Sequence, residues 1–469
     1  MSNILSKPLI LSLLAFAQLI ISIDYTIVYV AVPDIGRDLG FAAHNLQWVV
    51  SGYAVAFGGF LLLGGRMSDL LGRRRMFTAG LILYGASSLA GGFATEPGLL
   101  VGARAVQGFG GAVLAPATLS LIGTLFAEGR ERNRAFSIWG AAGGSGMALG
   151  SLLGGVLTQS FGWAAIFFVN VPLAAIGVVA ALILLPVDGT DRGRRRFDVP
   201  GAVAATAGIT AVVFALVQGP ATGWDGVSVG AVVAGAVLLT TFVLIELRSP
   251  DPLLPLGLLR VRNLRNGVTV ILLFSATLGT LLYFETVYFQ DVLGYNALQT
   301  GLAYLLPMLA IFVGSNLGGR LATRFGLHLT LAVSLSVSAI GVALLGLVLS
   351  SHASYGVLVP SLLILSFGQG SAFSTMFAAA STGVAAEYQG IGSGMASTGQ
   401  QLGNAVGLAI LVAIANRGTA GLTGESLRTA TTHGLRLAVL LTAAGVVVTA
   451  AIALTGRRRT PVLVDAISN

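Results

Sequence analysis

Two ionisable residues lie where a charge is hardest to keep. Asp24 is the one ionisable residue in the apolar run from Pro8 to Pro33, and Arg104 is the one in the run from Gly98 to Phe126. At about 1.5 Å rise per residue, each run is long enough as a helix to cross a ~30 Å hydrocarbon core. A charge near the middle of a bilayer costs on the order of 2.5–3.5 kcal/mol even on the lenient insertion scale, so it needs a partner, a water-filled cavity or a function. A carboxyl there can do proton chemistry, because alternation between a hydrated and a desolvated setting changes its protonation. Asp24 lies about 14 Å below Pro33 and Arg104 about 8–9 Å below Gly98, which puts both in one half of the bilayer. Arg104 then has two readings: a side chain snorkelling to the outer headgroups, or a cation set beside Asp24. Glu285, in YFETVYFQDVLGY, is another acid inside an apolar run. It either marks the membrane interface near a helix end, or faces a cavity where it meets cationic compounds or holds a second proton.

The surrounding chain must be a set of membrane helices. Of 469 residues 55% are hydrophobic and 9% charged, and mean hydropathy is +0.88, a polytopic membrane profile. A net charge of +8 does not indicate nucleic acid, because the arginines fall in short clusters between apolar runs. Cysteine is absent, which excludes disulfides, thiolate metal sites and thiol nucleophiles. Lys7 is the sole lysine, so no Walker A loop, and hence no ATP-driven pump, is encoded on this polypeptide. The first run is too long for a signal peptide and reads as a retained helix. His44, His328, His352 and His433 are scattered among loops and span ends, so no metal site or His-based catalytic cluster is indicated.

Breaks at charges, Pro and Gly clusters divide the chain into fourteen spans, near 9–33, 45–65, 76–95, 98–126, 134–158, 163–185, 199–219, 227–247, 266–290, 297–319, 327–349, 355–380, 393–416 and 434–456. With both termini cytoplasmic, 21 of the 26 Lys and Arg residues fall on the inside and four outside. A repeat supports two halves: Gly64–Gly72 (GGRMSDLLG) recurs as Gly318–Gly326 (GGRLATRFG), 254 residues later at every matched position. Two six-helix halves then flank two extra helices. The expected division is 1–186, an inserted pair at 187–248, an interfacial linker at 249–265, a second bundle at 266–456 and a cytoplasmic tail at 457–469. The linker PDPLLPLGLLRVRNLRN (Pro250 to Asn266) reads as an interfacial segment and Arg192 to Arg196 as a headgroup-facing patch. In the turn, Gly64 and Gly65 are expected to close the second helix on the third, Gly72 to permit the reversal, and Arg73, Arg74 and Arg75 to face headgroups. Asp69 has two readings: local charge balance with Arg66 and Arg73, or a latch onto the helix N-terminus at Gly390–Ile391–Gly392–Ser393 across the two halves.

These residues carry a resemblance to the major facilitator superfamily, and within it to the fourteen-helix drug:proton antiporter family. The turn Gly65 to Arg75 resembles the superfamily signature. Asp24 with Thr26, Ala31 and Pro33 resembles the first-helix motif, and Leu100 to Gly108 with Gly110, Gly111 and Ala112 the fourth-helix arginine motif. Trp163, Phe167, Asn170 and Pro172 match a sixth-helix pattern. Gly150, Gly154 and Gly155 match the fifth-helix antiporter motif, with Ser151 where the family has proline; Tyr29 stands where it often has Asn.

The resemblance implies an all-α polytopic membrane protein with the major facilitator fold, two six-helix bundles plus two extra helices. It implies proton coupling at Asp24 and Arg104, and a gating turn built from Gly65, Asp69, Gly72, Arg73 and Arg74. Tyr29, Gln107, Glu285, Tyr288 and Asn316 are the expected substrate-pocket residues. Other aromatics at membrane depth, such as Tyr53, Phe57, Phe373 and Phe377, line a pocket or pack, and Gln369, Gln401 and Asn404 have interhelical hydrogen bonding as their default use.

The function expected is proton-driven efflux of lipophilic, cationic or neutral organic compounds by alternating access. The alternative is a narrow-range exporter of a metabolite or self-made antibiotic. A membrane-embedded transferase would show His, Asp or Glu clustered at one membrane face, and none is visible. The expected protein is thus no enzyme, uses no cofactor or metal, and works as a monomer in the cytoplasmic membrane. Its partners are protons, a small organic substrate and the bilayer, not nucleic acid.

Overall fold

A computed structural model describes residues 2–41, 46–188, 198–249, 252–417 and 422–456. Fourteen helices of membrane-crossing length succeed one another among them: α1 (Ser2–Asp38), α2 (Trp48–Leu71), α3 (Arg73–Gly92), α4 (Pro97–Leu125), α5 (Arg130–Phe161), α6 (Ala165–Leu184), α7 (Val199–Thr222), α8 (Gly226–Glu246), α9 (Arg262–Val292), α10 (Gln299–Phe325), α11 (Leu327–Val348), α12 (Tyr355–Ser381), α13 (Ala386–Ala415) and α14 (Gly424–Thr455). Thirteen are apolar as well as long; α3 is the more polar one, because it opens on three arginines. Most expected span ends match these helices within a few residues; α14 begins ten residues, and α1 and α13 seven residues, before the expected starts. The headgroup patch at Arg192 to Arg196, His44 and the tail 457–469 lie outside the described residues.

Local sequence explains the helix ends. Gly72 (φ 116°) and its repeat partner Gly326 (φ 88°) take conformations that other residues resist, so α2 reverses into α3 as α10 reverses into α11. Asp198 and Asp225 cap α7 and α8 by accepting from the Gly201 and Ser228 amides, each at 2.9 Å. Asp188 accepts from the Arg74 and Arg75 amides and so holds the chain after α6 against the start of α3.

The helices α1–α6 pack as one bundle, with α1 on α5 and both α2 and α3 on α4. The helices α9–α14 form the other, with α9 on α13 and α11 on both α12 and α14. The halves meet along α2–α13 and α5–α10. The inserted α7 touches both α2 and α13, so it lies across one seam between the halves. The linker departs from expectation: Leu253 and Leu258 are buried with α7 and the start of α13 in an apolar cluster instead of facing lipid. Its anchor is Glu246, whose carboxylate accepts from the Leu253 and Leu254 amides at 3.1 and 2.9 Å.

Three further expectations need correction. Pro33 does not end α1, which runs on to Asp38. The glycine pair does not join α2 to α3: Gly64 lies against the Ala112 carbonyl of α4, and Gly65 against the Gly390 backbone of α13. Finally, α9 is not continuous. A 3-10 turn at Leu278–Thr280 and a π turn at Tyr288–Val292 interrupt it. Gln369 of α12 satisfies the Leu278 carbonyl freed at the first break, at 3.3 Å, and the Asn404 side chain packs on Gly279.

The α1–α5 seam rests on small residues one turn apart. A Cβ at Gly150 would stand 2.2 Å from Thr26 Oγ1 and 2.4 Å from the Ile23 carbonyl, and one at Gly154 would stand 2.8 Å from the Ile27 carbonyl. Gly155 faces open space, so it does not belong to this seam. Ser151, where the family has proline, bonds the Met147 carbonyl one turn back at 3.2 Å and leaves the helix unbroken. Gly150→Ala is expected to lower stability by about 1–3 kcal/mol through overpacking, whereas Gly155→Ala changes little. Thermal melting of the detergent-purified variants checks this, and equal melting temperatures would contradict it.

Candidate functional site

Asp24 is fully buried, and two helices supply its three ligands. Arg104 Nη1 of α4 donates to Asp24 Oδ2 at 2.7 Å. Gln107 Nε2, one turn on from Arg104, donates to Oδ1 at 2.8 Å, and Asn170 Nδ2 of α6 donates to the same oxygen at 2.9 Å. The helical repeat dictates the grouping: Arg104 and Gln107 share a face of α4, while Ile23, Thr26 and Ile27 of α1 turn to the α5 glycines and leave Asp24 facing α4 and α6.

Arg104 is held from several sides. Its Nε donates to the Val49 carbonyl at 3.0 Å and its Nη1 also to Gln107 Oε1 at 2.6 Å, with the guanidinium 4.6 Å from the Tyr53 ring centre. Gln107 Nε2 also donates to Ser88 Oγ of α3, at 2.7 Å. The snorkelling reading of Arg104 is therefore excluded, since the side chain is 2% exposed and paired. Gln107 is not in an open pocket; it is part of the ion-pair network. An ion pair so enclosed is poised, because removing one partner leaves an uncompensated buried charge and costs about 3–5 kcal/mol.

Sequence reasoning placed Asp24 and Arg104 at a shared depth and left Asn170 and Ser88 without a role at the acid. Asn170 stood out only as part of a helix pattern, and the Val49 carbonyl had no sequence signal at all.

At the end of the molecule that carries the arginine turns, the halves are joined. Asp69, 2% exposed, accepts from the Gly390 amide at 2.9 Å and the Ile391 amide at 2.8 Å, in the first turns of α13. Arg73 bonds Asp69 at 3.3 Å, Ser120 Oγ at 2.7 Å, and the Ala386 carbonyl across the interface. A Cβ at Gly65 would stand 2.5 Å from the Gly390 carbonyl, so only glycine permits this approach. Around it, Glu128 accepts from the Gly383 amide at 3.0 Å, and Ser315 Oγ donates to the Ser137 carbonyl at 3.0 Å. Deeper in, the Trp139 ring of α5 stacks on Phe373 of α12 at 5.5 Å.

Towards the opposite end, Tyr25 and Tyr29 of α1 are 41% and 51% exposed and meet edge to face at 6.1 Å. They lie on the face of α1 that its contacts with α4, α5 and α6 leave uncovered. Asn316 is half-buried on α10 and bonds its own helix at the Phe312 carbonyl, 2.8 Å away. Tyr288 and Glu285 do not join a pocket between the halves. Tyr288 is buried within the second bundle, its hydroxyl donating to the Ser350 carbonyl at 2.7 Å, and Glu285 faces a void inside that same bundle. The π turn carries α9 on to Val292, seven residues beyond Glu285.

This fold and site define a membrane carrier of two pseudo-repeated halves. The chain belongs to the major facilitator superfamily, whose sequence description matches residues 14–408. It is 36% identical over 447 residues to the puromycin resistance protein pur8 of Streptomyces alboniger, covering 93% of this chain and 88% of that one. It is 37% identical over 413 residues to the cephamycin export protein CmcT of Amycolatopsis lactamdurans, covering 87% and 85%. Among solved structures, the proton:xylose symporter XylE superposes with a TM-score of 0.70 at 15% identity, over 97% of this chain and 96% of that one, a likeness of fold alone. The protein is a multi-pass membrane transporter.

Each hydrogen bond from a backbone amide to the Asp69 carboxylate is of the charge-assisted kind, which contributes about 1.5–3 kcal/mol. Asp69→Asn turns an amide group towards one of those donors and should weaken closure at the arginine-rich end. In the naturally cysteine-free chain, a reporter at Tyr29→Cys should then react more slowly with a water-soluble maleimide, as the opposite end closes more often. An unchanged labelling rate would reject the closure role.

Proposed function

We propose that this protein is a proton-driven exporter of lipophilic, cationic or neutral organic compounds that works by alternating access. The observation that carries the reading is the buried Asp24–Arg104 pair with the Gln107 and Asn170 amides completing the carboxylate shell. The excess of Lys and Arg at the turn end supports a cytoplasmic position for that face and for the start of α1 and the end of α14. The conformation described here then has its cytoplasmic end closed, with Tyr25 and Tyr29 exposed towards the opposite end.

A proton arriving from outside adds to one Asp24 carboxylate oxygen and removes the charge that Arg104 neutralises. Arg104 keeps the Val49 carbonyl and Gln107 Oε1 as acceptors, so it need not leave its site when Asp24 becomes neutral. What weakens is the tie between α1 and the α4–α6 pair. Because α1 packs on α5, and α5 meets α10 of the other half, a shift of α1 reaches the interface between the halves. Opening of the cytoplasmic end admits the compound, the proton leaves Asp24 inward, and the re-formed pair returns the carrier.

A second reading, export of one self-made or environmental antibiotic, is favoured by relatives named for single compounds: puromycin, cephamycin, lincomycin and tetracenomycin C. The multidrug resistance protein Stp of Mycobacterium tuberculosis, 33% identical over 393 residues, favours breadth.

One strain pair separates these readings. A drug-sensitive host with and without the protein, tested against puromycin, lincomycin and ethidium, shows either general or single-compound resistance. For whichever compound responds, inverted vesicles under an imposed pH gradient should accumulate it with the native protein. They should fail to do so with Asp24→Asn while the variant remains membrane-inserted. Full gradient-driven accumulation by Asp24→Asn would overturn proton coupling at this residue.

A further inference from the structure

Glu285 has no hydrogen bond or ion pair with any described residue, although it sits on a membrane helix among apolar side chains. The void it faces is lined by Leu345 and Leu349 at the end of α11, Leu358 and Leu362 of α12, and Leu435 and Val439 of α14. Those helices are the counterparts, in the second half, of α3, α4 and α6, which surround Asp24 in the first; Glu285 lies on α9, the counterpart of α1. The 254-residue offset of the repeated turn carries Arg104 onto Leu358. It carries Asp24 onto Leu278, about two turns from Glu285. The equivalence is therefore one of helices, with leucine standing where the first half has its arginine.

We propose that Glu285 is a second proton-binding carboxyl of the carrier, carried on the second half's counterpart of the helix that bears Asp24, and that it works without a cation to hold its charge. Three features on the structure support a proton as its ligand, in preference to a cationic compound. The void beside it is about 10 Å³ and walled by apolar side chains, too small for any organic molecule. The side chain is half-buried, so its carboxyl is not sealed within packed side chains. Its helix is interrupted on both sides, by the 3-10 turn at Leu278–Thr280 and the π turn at Tyr288–Val292. Such interruptions are frequent at functional sites, and they let the intervening turn rotate with modest cost to its neighbours.

The titratable groups around it are phenols, the Asp291 carboxyl on the same helix and one distant cation already paired with Glu425. Tyr304, ahead of the long straight part of α10, and Tyr355, at the start of α12, are within electrostatic reach. The Tyr304 hydroxyl is committed to Thr286 Oγ1 at 2.7 Å and to the Leu282 carbonyl at 3.1 Å; that of Tyr355 donates to the Ala303 carbonyl at 2.6 Å. On the same helix, Tyr288 bonds the Ser350 carbonyl, and Tyr283 and Asp291 stand on either side in sequence. From α14 the nearest cation is Arg428, about two turns before Leu435, and it is occupied by the Ser351 carbonyl at 2.7 Å and by Glu425 at 3.9 Å. From α11 only leucines line the void. A carboxylate formed here has no charge to answer it, so its proton exchange is tied to the entry of water.

The test is spectroscopic and needs no substrate. Infrared difference spectra of the purified, full-length protein are recorded between acid and alkaline pH. They should contain a carbonyl-stretch band of a protonated carboxyl that disappears in Glu285→Gln and persists in Asp24→Asn. Glu285→Asp, which keeps the acid, should shift the band and not remove it, which separates loss of the group from loss of the fold. Identical bands in the native protein and Glu285→Gln would overturn the proposal. The link to transport rests on the proton-driven reading and is tested apart from the band. In the ethidium vesicle assay, Glu285→Gln should lower the charge moved per molecule exported while Asp24→Asn abolishes coupled flux. A Glu285 band with Asp24→Asn still fully coupled would fault the function proposed for Asp24 and leave this site standing.

Discussion

The cost of a charge inside a bilayer is the constraint on which the rest of this architecture depends. Asp24 is kept at membrane depth because one cation and two amide donors converge on its two oxygens. That convergence places demands on the backbone. α1 must come within hydrogen-bonding distance of α4 and α6 at once, and Gly150 and Gly154 of α5 admit α1 from behind. Arg104 in turn needs the Val49 carbonyl, which ties the start of α2 to the same network. Four helices are thereby held by a single carboxylate whose charge can be cancelled by one proton.

The closure at the arginine-rich end uses the same chemistry in a different setting. Asp69 is also a buried carboxylate accepting two directed donors, but those donors are backbone amides of the other half. Helix α2 carries both ends of this logic: its first residues touch Arg104, and its last turn carries Asp69. A change of charge at Asp24 therefore has a covalently continuous route, along α2, to the contact that keeps the halves together. The α1–α5–α10 packing offers a parallel route on the other seam. Each is a physically contiguous route, one along a single helix and one through packed helices, by which the proposed cycle would reach the interface.

How much of this was legible in the sequence follows from what each signal encodes. Apolar runs bounded by arginine clusters encode the spans, and fourteen helices lie where the fourteen runs do. The repeated turn encodes the two halves. Asp24 and Arg104 stood out because each is alone in an apolar run, an energetic anomaly visible without coordinates. The partners of that pair were not legible. Gln107 read as a pocket residue and Asn170 as part of a pattern, because rotation of one helix against another has no one-dimensional signature. Gly65 misled for a related reason. A glycine pair announces a close approach but not which helix approaches, and here the partner comes from 325 residues further on, at Gly390. The breaks in α9 were hidden because no proline marks them; Gln369 and Asn404 from other helices sustain the first.

The central claim is that the charge of Asp24 sets which end of the carrier is open. With no native cysteine, spin labels can be attached at single engineered cysteines on the arginine-rich ends of α3 and α11, and pulsed dipolar spectroscopy can read their separation as a function of pH. The account predicts that acidification lengthens this distance in the native protein and leaves Asp24→Asn at one distribution throughout. A pH-dependent opening of the same size in Asp24→Asn would contradict it.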